Sequence, residues 1–375
     1  MMASGRRTRI LIVDDSAVMR NLLRSVVSAD AGLEVAGTAG DGGSALNAIQ
    51  TIRPDIVLLD VEMPVMDGLA TLRKLRAGGY KMPVIMCSSL TQRGAKVTIE
   101  ALACGASDYV GKPTGQSGRE AAIQALSREL IPKIQALTSQ PQPVLPGALR
   151  RPLLAPMAGP QTPQAISSQP LALAIGVSTG GPAALDILLP ALPAGFPLPV
   201  LVVQHMPEMF TRLLAERLNG RCPLQVQEAI EGAPVRAGMI YIAKGNWHME
   251  VLASARAGMP ATLHLQQSVP ENHCRPAVDV LFRSVAVAYG AGALATVLTG
   301  MGADGMLGCR IIRDYGGSVI AQDEATSTVW GMPGAVVNAG LAHRILPLNA
   351  IAPEILRLVS RTQAEARELR EPVAL

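Results

Sequence analysis

The chain has 375 residues, 49% of them hydrophobic and 17% charged, with a formal net charge of +4. That length exceeds one ordinary core and predicts two domains, and that composition excludes a disordered chain. Scattered basic residues argue against nucleic-acid binding. Five cysteines (Cys87, Cys104, Cys222, Cys274, Cys309), odd in number and without a C-x-x-C pair, argue against a disulfide framework or a zinc site and predict a reducing, cytoplasmic compartment. Membrane insertion is not expected either. "RRTRILIV" runs straight into Asp14-Asp15, and the apolar stretch from Leu185 to Val203 is broken by four prolines and Asp186.

In chain order, "RILIV", "EVAG", "DIVLL", "PVIMC" and "DYV" read as strands, each followed by helix-compatible sequence. Continuous apolar strands separated by helices predict a doubly wound parallel sheet covered on both faces, here over residues 8–135. Residues 136–168 are rich in proline, glutamine and alanine with no period, which reads as a semi-extended linker or as an irregular loop lying on a domain surface. The alternation resumes over 169–360. "LALAIGV", "LPVLVVQ", "MIYIA" and "ATVLT" read as strands, and "TRLLAERLN" and "AVDVLFRSVAVAY" as helices. "MEVLASARAGMPATLHLQ" reads as a hairpin turned at Ala257-Gly258. A second α/β parallel sheet with an antiparallel hairpin is therefore predicted.

Open parallel sheets bind ligands beyond the carboxyl ends of their strands. The first sheet loads that edge with Asp14 and Asp15 after one strand, Asp60 at the end of "DIVLLD", Ser88 after "PVIMC" and Lys112 after "DYVG". Singly, an Asp pair is an ordinary helix cap and a Lys-Pro an ordinary loop end. Together, converging carboxylates repel one another unless a cation lies among them, and hard oxygen ligands suit Mg²⁺. A lysine and a hydroxyl opposite would receive an incoming phosphoryl group, with a carboxylate as the nucleophile.

The series "ILIVDDS", "DIVLLDVEMPVMDG", "PVIMCSS" and "ASDYVGKP" resembles a two-component receiver domain. The resemblance implies a flavodoxin-like fold, phosphorylation on Asp60 and Mg²⁺ held by Asp14, Asp15, Asp60 and the backbone carbonyl of Glu62. It also implies phosphoryl contacts from Ser88 and Lys112, and a switch role for Tyr109. A switch, rather than a catalyst, is then expected of this domain.

In the second half, Gly176-Val177-Ser178-Thr179-Gly180 fits the G-x-S-x-G elbow pattern. A phosphate loop is disfavoured, since no lysine follows Gly180-Gly181 and "GVSTGG" lacks the middle glycine of a dinucleotide fingerprint. A serine hydrolase needs a base and an orienting acid. His205 closes "LPVLVVQH" and Asp304 follows "ATVLT", so both share a sheet edge with Ser178. His264 lies within a predicted strand and reads as structural. The order Ser178, Asp304, His343 is the elbow hydrolases' own and remains a rival, although "AGLAHRILPL" would enter a strand and put His343 at the opposite edge.

"GVSTGGP", "VVQHMP", "YIAKGNWHM", "RPAVDVLFRSVA", "VLTGMGADG" and "AQDEATSTVWGMP" together resemble the protein-glutamate methylesterase family of bacterial chemotaxis, which joins a receiver to an α/β esterase domain. The resemblance implies Ser178 as nucleophile, His205 as base and Asp304 as its orienting acid, with Thr179, Met301 and Gly302 supplying or shaping the oxyanion hole. It implies glutamate methyl esters on chemoreceptors as substrate, deamidation of receptor glutamines as a second activity, and no cofactor for the esterase. A chemotaxis-type histidine kinase is the implied phosphodonor, and the implied location is cytoplasmic, at receptor clusters. Lys244 and Ala277 depart from the proline and serine expected of the family. Two other readings remain at this point, a receiver-controlled binding module and a hydrolase of small esters.

Overall fold

The computed structural model describes residues 6–89, 91–113, 118–138, 169–254, 256 and 258–368, with side chains to residue 360. Five strands, β1 (Thr8–Val13), β2 (Leu33–Ala39), β3 (Ile56–Asp60), β4 (Val84–Ser88) and β5 (Asp108–Gly111), alternate with α1 (Ala17–Ser28), α2 (Gly42–Ile52), α3 (Gly68–Ala77), α4 (Gln92–Ala103) and α5 (Arg119–Thr138). They form one parallel sheet in the order β2-β1-β3-β4-β5. The strands β3 and β4 are buried throughout, as expected of a sheet covered on both faces. Side-chain caps start the helices. Ser16 accepts from Met19 N, Asp67 from Ala70 N, and Asp41 forms a reciprocal capping box with Ser44. Helix α5 runs to Thr138, so the boundary expected at 135 falls within it. The predicted linker lies outside the described residues from 139 onward.

The second half continues with β6 (Ala172–Val177), α6 (Gly181–Leu188), β7 (Val200–Gln204), α7 (Glu208–Asn219), β8 (Gln225–Glu228), β9 (Met239–Ile242), β10 (His248–Leu252) and β11 (Thr262–Gln266). It closes with α8 (Val278–Tyr289), β12 (Ala293–Val297), α9 (Met306–Asp314), β13 (Ser318–Gln322), α10 (Met332–Asn338), β14 (Arg344–Leu346) and α11 (Leu348–Glu368). Seven of these strands form a second parallel sheet in the order β14-β13-β12-β6-β7-β9-β8. The predicted hairpin is present as the separate antiparallel pair β10-β11. Its turn residue Ala257 lies outside the described residues.

The two halves pack against each other. Apolar residues of α3 and α4 share one continuous core with those of α6 and α7. Tyr109 on β5 stacks on Phe210 of α7, with ring centroids 4.5 Å apart and planes 20° from parallel. Such a pair contributes about 1 kcal/mol beyond the area it buries.

Candidate functional site

At the first edge, register aligns the expected residues. Val13 pairs Leu59, Asp60 pairs Cys87 and Ser88 pairs Gly111, so the residues at or just past these positions emerge side by side. Lys112 Nζ lies 2.8 Å from Asp14 Oδ2 and 2.7 Å from Asp60 Oδ1. Carboxylate oxygens of Asp14, Asp15 and Asp60 all lie within 4.8 Å of one another, and the buried Asp60 Oδ2 has no hydrogen-bond partner. Burial, and after it the charge of Asp14, pushes the Asp60 carboxyl above the usual carboxylate range despite the bond from Lys112. An orphaned oxygen in a cluster of hard donors fits a small divalent cation such as Mg²⁺. Glu62 donates its N–H to Asp60 Oδ1 at 3.4 Å, beside the cluster. The Ser88 hydroxyl accepts from Thr98 Oγ1 of α4 at 2.7 Å and donates to Ser89 O at 3.1 Å.

The second edge is built on β6, β7 and β12. Val177 pairs Gln204, so Ser178 and His205, the next residues of their strands, leave the sheet together. His205 N donates to Val177 O at 3.2 Å, and Ser178 N to Thr299 O at 3.0 Å. The turn after Ser178 needs its glycines. Gly180 holds φ at 79°, and a Cβ on Gly181 would come within 2.0 Å of Gln204 Oε1. Gln204 Nε2 donates to Ser178 O at 3.0 Å and steadies the same turn.

His205 Nε2 and Asp304 Oδ2 are 2.8 Å apart, leaving Nδ1 as the second ring nitrogen, with Cys274 Sγ 3.6 Å from it. Burial disfavours charge on the His205 ring, yet its hydrogen bonds to Asp304 and Cys274 outweigh that and carry it from 6.5 to about 9. Burial likewise works against the Asp304 carboxylate. His205 and the backbone N–H groups of Val278 and Asp279 nevertheless hold it below the usual range. Ser178 lines the same cleft as His205, with exposed Met301 and Gly302 at its rim.

The rival histidine is elsewhere. His343 Nδ1 accepts from Val319 N at 3.0 Å, at the amino ends of β13 and β14, and burial with Arg313 and Arg344 nearby lowers it to about 4. His264 stands on β11 against Glu231. Lys244 pairs with Glu208 at 2.8 Å beside the cleft, and Ala277 is fully buried, its N–H donating to His248 Nδ1.

Three features were not read from the sequence. Cys274 touches the histidine, Asn272 touches the acid, and the first domain reaches into the site. Asp108 Oδ2 accepts from Thr179 Oγ1 at 2.6 Å, and Lys133 lies 3.4 Å from Asp108 Oδ1 while donating to Tyr109 O. This engages the Thr179 hydroxyl with the first domain. Leu102, Asp108 and Tyr109 thereby form one wall of a cleft of about 1030 Å³ whose other wall carries Ser178 and His205.

Comparison with known proteins places these two edges in context. The family model described as CheB methylesterase matches residues 173–355, and that of the response regulator receiver domain matches residues 10–124. A protein-glutamate methylesterase/protein-glutamine glutaminase of a Nocardioides species is 49% identical over 94% of this chain and 96% of its own length. One of the same name from Trichodesmium erythraeum is 46% identical over 94% of this chain and 99% of its own. A third, from Azospirillum brasilense, is 43% identical over 96% and 94% respectively.

Proposed function

The chain belongs to the CheB methylesterase family, and from that premise we propose that it hydrolyses glutamate methyl esters on chemoreceptors, releasing methanol, for chemotactic adaptation. The observation that carries this reading is the His205–Asp304 pair beside Ser178 at the carboxyl edge of the seven-stranded sheet. With Asp304 accepting Nε2–H, Nδ1 is the nitrogen that takes the proton of Ser178 as Oγ attacks the ester carbonyl. Backbone N–H groups around Thr179, Met301 and Gly302 receive the developing oxyanion. The proton on Nδ1 passes to the departing methoxide, which leaves as methanol. Water, deprotonated by the same nitrogen, then splits the acyl-serine to free glutamate and restores Ser178. A receptor glutamine follows the same course with ammonia leaving.

Residues 8–135 act in this reading as the switch, 136–168 as the tether and 169–360 as the catalytic unit. A chemotaxis-type histidine kinase supplies the phosphoryl group to Asp60. Asp14, Asp15, Asp60 and the Glu62 carbonyl would hold Mg²⁺, which supplies neutralising charge when bound. Ser88 and Lys112 contact the phosphoryl group. When Ser88 turns to it, Thr98 loses its partner on β4, and α4, which packs on α6 and α7, is free to shift with Tyr109. The protein works in the cytoplasm at receptor clusters. Among the described residues no helix is long and apolar enough to cross a membrane.

The test is methanol release from methyl-labelled receptor membranes. Ser178→Ala should lower the rate about 10⁴-fold or more. A variant that keeps half the wild-type rate would remove the serine from the chemistry.

A further inference from the structure

The acid of the proposed triad does not stand alone. Asp304 and Asp279 are both buried, at 2% and 1% exposure, and one amide lies between them. Asn272 Nδ2 is 2.8 Å from Asp304 Oδ1 and 2.9 Å from Asp279 Oδ2. Carboxylate oxygens only accept, so the amide atom between them has to be the NH₂, which gives one hydrogen to each. The rest of the pattern is complete. Asp304 Oδ1 also accepts from Asp279 N at 3.0 Å, and Oδ2 takes Val278 N at 2.7 Å and His205 Nε2 at 2.8 Å. Asp279 Oδ1 accepts from Gly308 N at 2.6 Å.

The turn that delivers Asn272 is itself fixed. Glu271 and Cys274 exchange both backbone hydrogen bonds, at 3.1 and 2.9 Å, around Asn272 and His273 with φ of 52° and 62°. Two consecutive left-handed residues in a tight antiparallel turn favour asparagine at the first place. Arg283 of α8 grips Glu271 with two bonds of 2.6 and 2.7 Å, so the turn is tied to the helix that carries Asp279. The same turn also sets Cys274 against His205.

We infer that Asn272 is a positioning residue for the esterase reaction, holding the Asp304 carboxylate in the plane that meets His205 while separating it from Asp279. Without the amide, two buried carboxylates face each other with their shared donor gone. Burial and the charge of Asp304 already raise the Asp279 carboxyl, so the balance between the pair is sensitive to this one group. The titratable groups bonded to the His205 ring are Asp304 and Cys274, with Asp279 behind Asp304 across Asn272, while Arg128, Glu129, Lys133, Glu208, His273 and Arg275 line the same cleft. A more exposed charge on Asp304 keeps the imidazolium protonated to higher pH.

This inference rests on the triad reading, and the experiment separates the two. The full chain, with a small phosphodonor, is assayed on methyl-labelled receptor membranes as wild type, Asn272→Gly, Asn272→Asp, Ser178→Ala and His205→Gln. Glycine accepts the left-handed backbone, so Asn272→Gly removes the amide and keeps the turn. It should lower kcat about 30-fold with KM within about twofold, as expected for a misplaced acid rather than a lost substrate contact. The acid limb of the pH profile should move to higher pH, further in Asn272→Asp than in Asn272→Gly. Thermal melts confirm that each variant is folded. Folded Asn272 variants with wild-type kcat and an unmoved limb, beside inactive Ser178→Ala and His205→Gln, would overturn this inference alone. Activity surviving in Ser178→Ala or His205→Gln would overturn the triad reading and this inference with it.

Discussion

The two sheets present their carboxyl edges to different purposes. At the first, Asp14, Asp60, Ser88 and Lys112 each end a strand or follow it directly, and the site is completed within about a hundred residues of chain. At the second, Ser178 and His205 come from strand ends, but the acid, Asn272 and the rim arrive on the loops before α8 and after β12, two more partners of the acid come from the start of α8, and one contact comes from the other domain. The first edge is thus a self-contained acidic pocket with an orphaned oxygen at Asp60. The second is a shared one, since Asp108 holds the Thr179 hydroxyl and Tyr109 lies on Phe210. A site completed by its own domain can be a constant sensor. A site walled by its neighbour can be opened or closed by it.

That contrast can be broken in several places. The largest effect is expected at the second edge. His205→Gln should abolish methanol release, about 10⁴-fold, whereas His343→Gln should leave it within about twofold, because His343 serves the backbone of β13 at the opposite edge. The reverse result would move the catalytic base. A smaller effect is expected where the domains meet. A hydrogen bond to a carboxylate is worth about 1.5–3 kcal/mol, so Asp108→Ala should raise the unphosphorylated rate about tenfold by favouring the undocked state. An unchanged or lower basal rate would show that this contact does not restrain the site. The smallest is a shift in pH dependence. If His205 is the base it works only when neutral, and Asp304 and Cys274 keep it protonated above 6.5, so the rate should climb with pH along a limb between 6.5 and 9. Cys274→Ala should bring that limb down, and a wild-type limb at or below 6.5 would contradict the assignment.

How much of this was legible in the sequence follows from the same contrast. Alternating β-branched runs and helical patterns gave both parallel sheets and the hairpin, because buried strands are apolar up to their last residue. Strands β8 and β13 were not among those predicted. "QVQE" is polar and short at the sheet's edge, and only the last two residues of "SVIAQ" belong to the "AQDEATSTVWGMP" motif. Strand-end residues such as Asp60 and Ser178 could be found because chain position and sheet edge coincide. Asn272 and Cys274 could not, since nothing in "ENHCRP" states that two left-handed residues fold the amide back onto a carboxylate 32 residues away. The Asp108–Thr179 bond is hidden for the same reason, joining two domains across 71 residues. Asp108 reads locally as the first residue of a strand and nothing more.

The central claim is that the first edge governs the second. Its most direct test is the rate of methanol release from methyl-labelled receptor membranes by the full chain, with and without a small phosphodonor, in wild type and Asp60→Asn. The account predicts that the donor raises the wild-type rate and leaves the Asp60→Asn rate where it was. Equal wild-type rates with and without donor, or equal stimulation of both proteins, would contradict it.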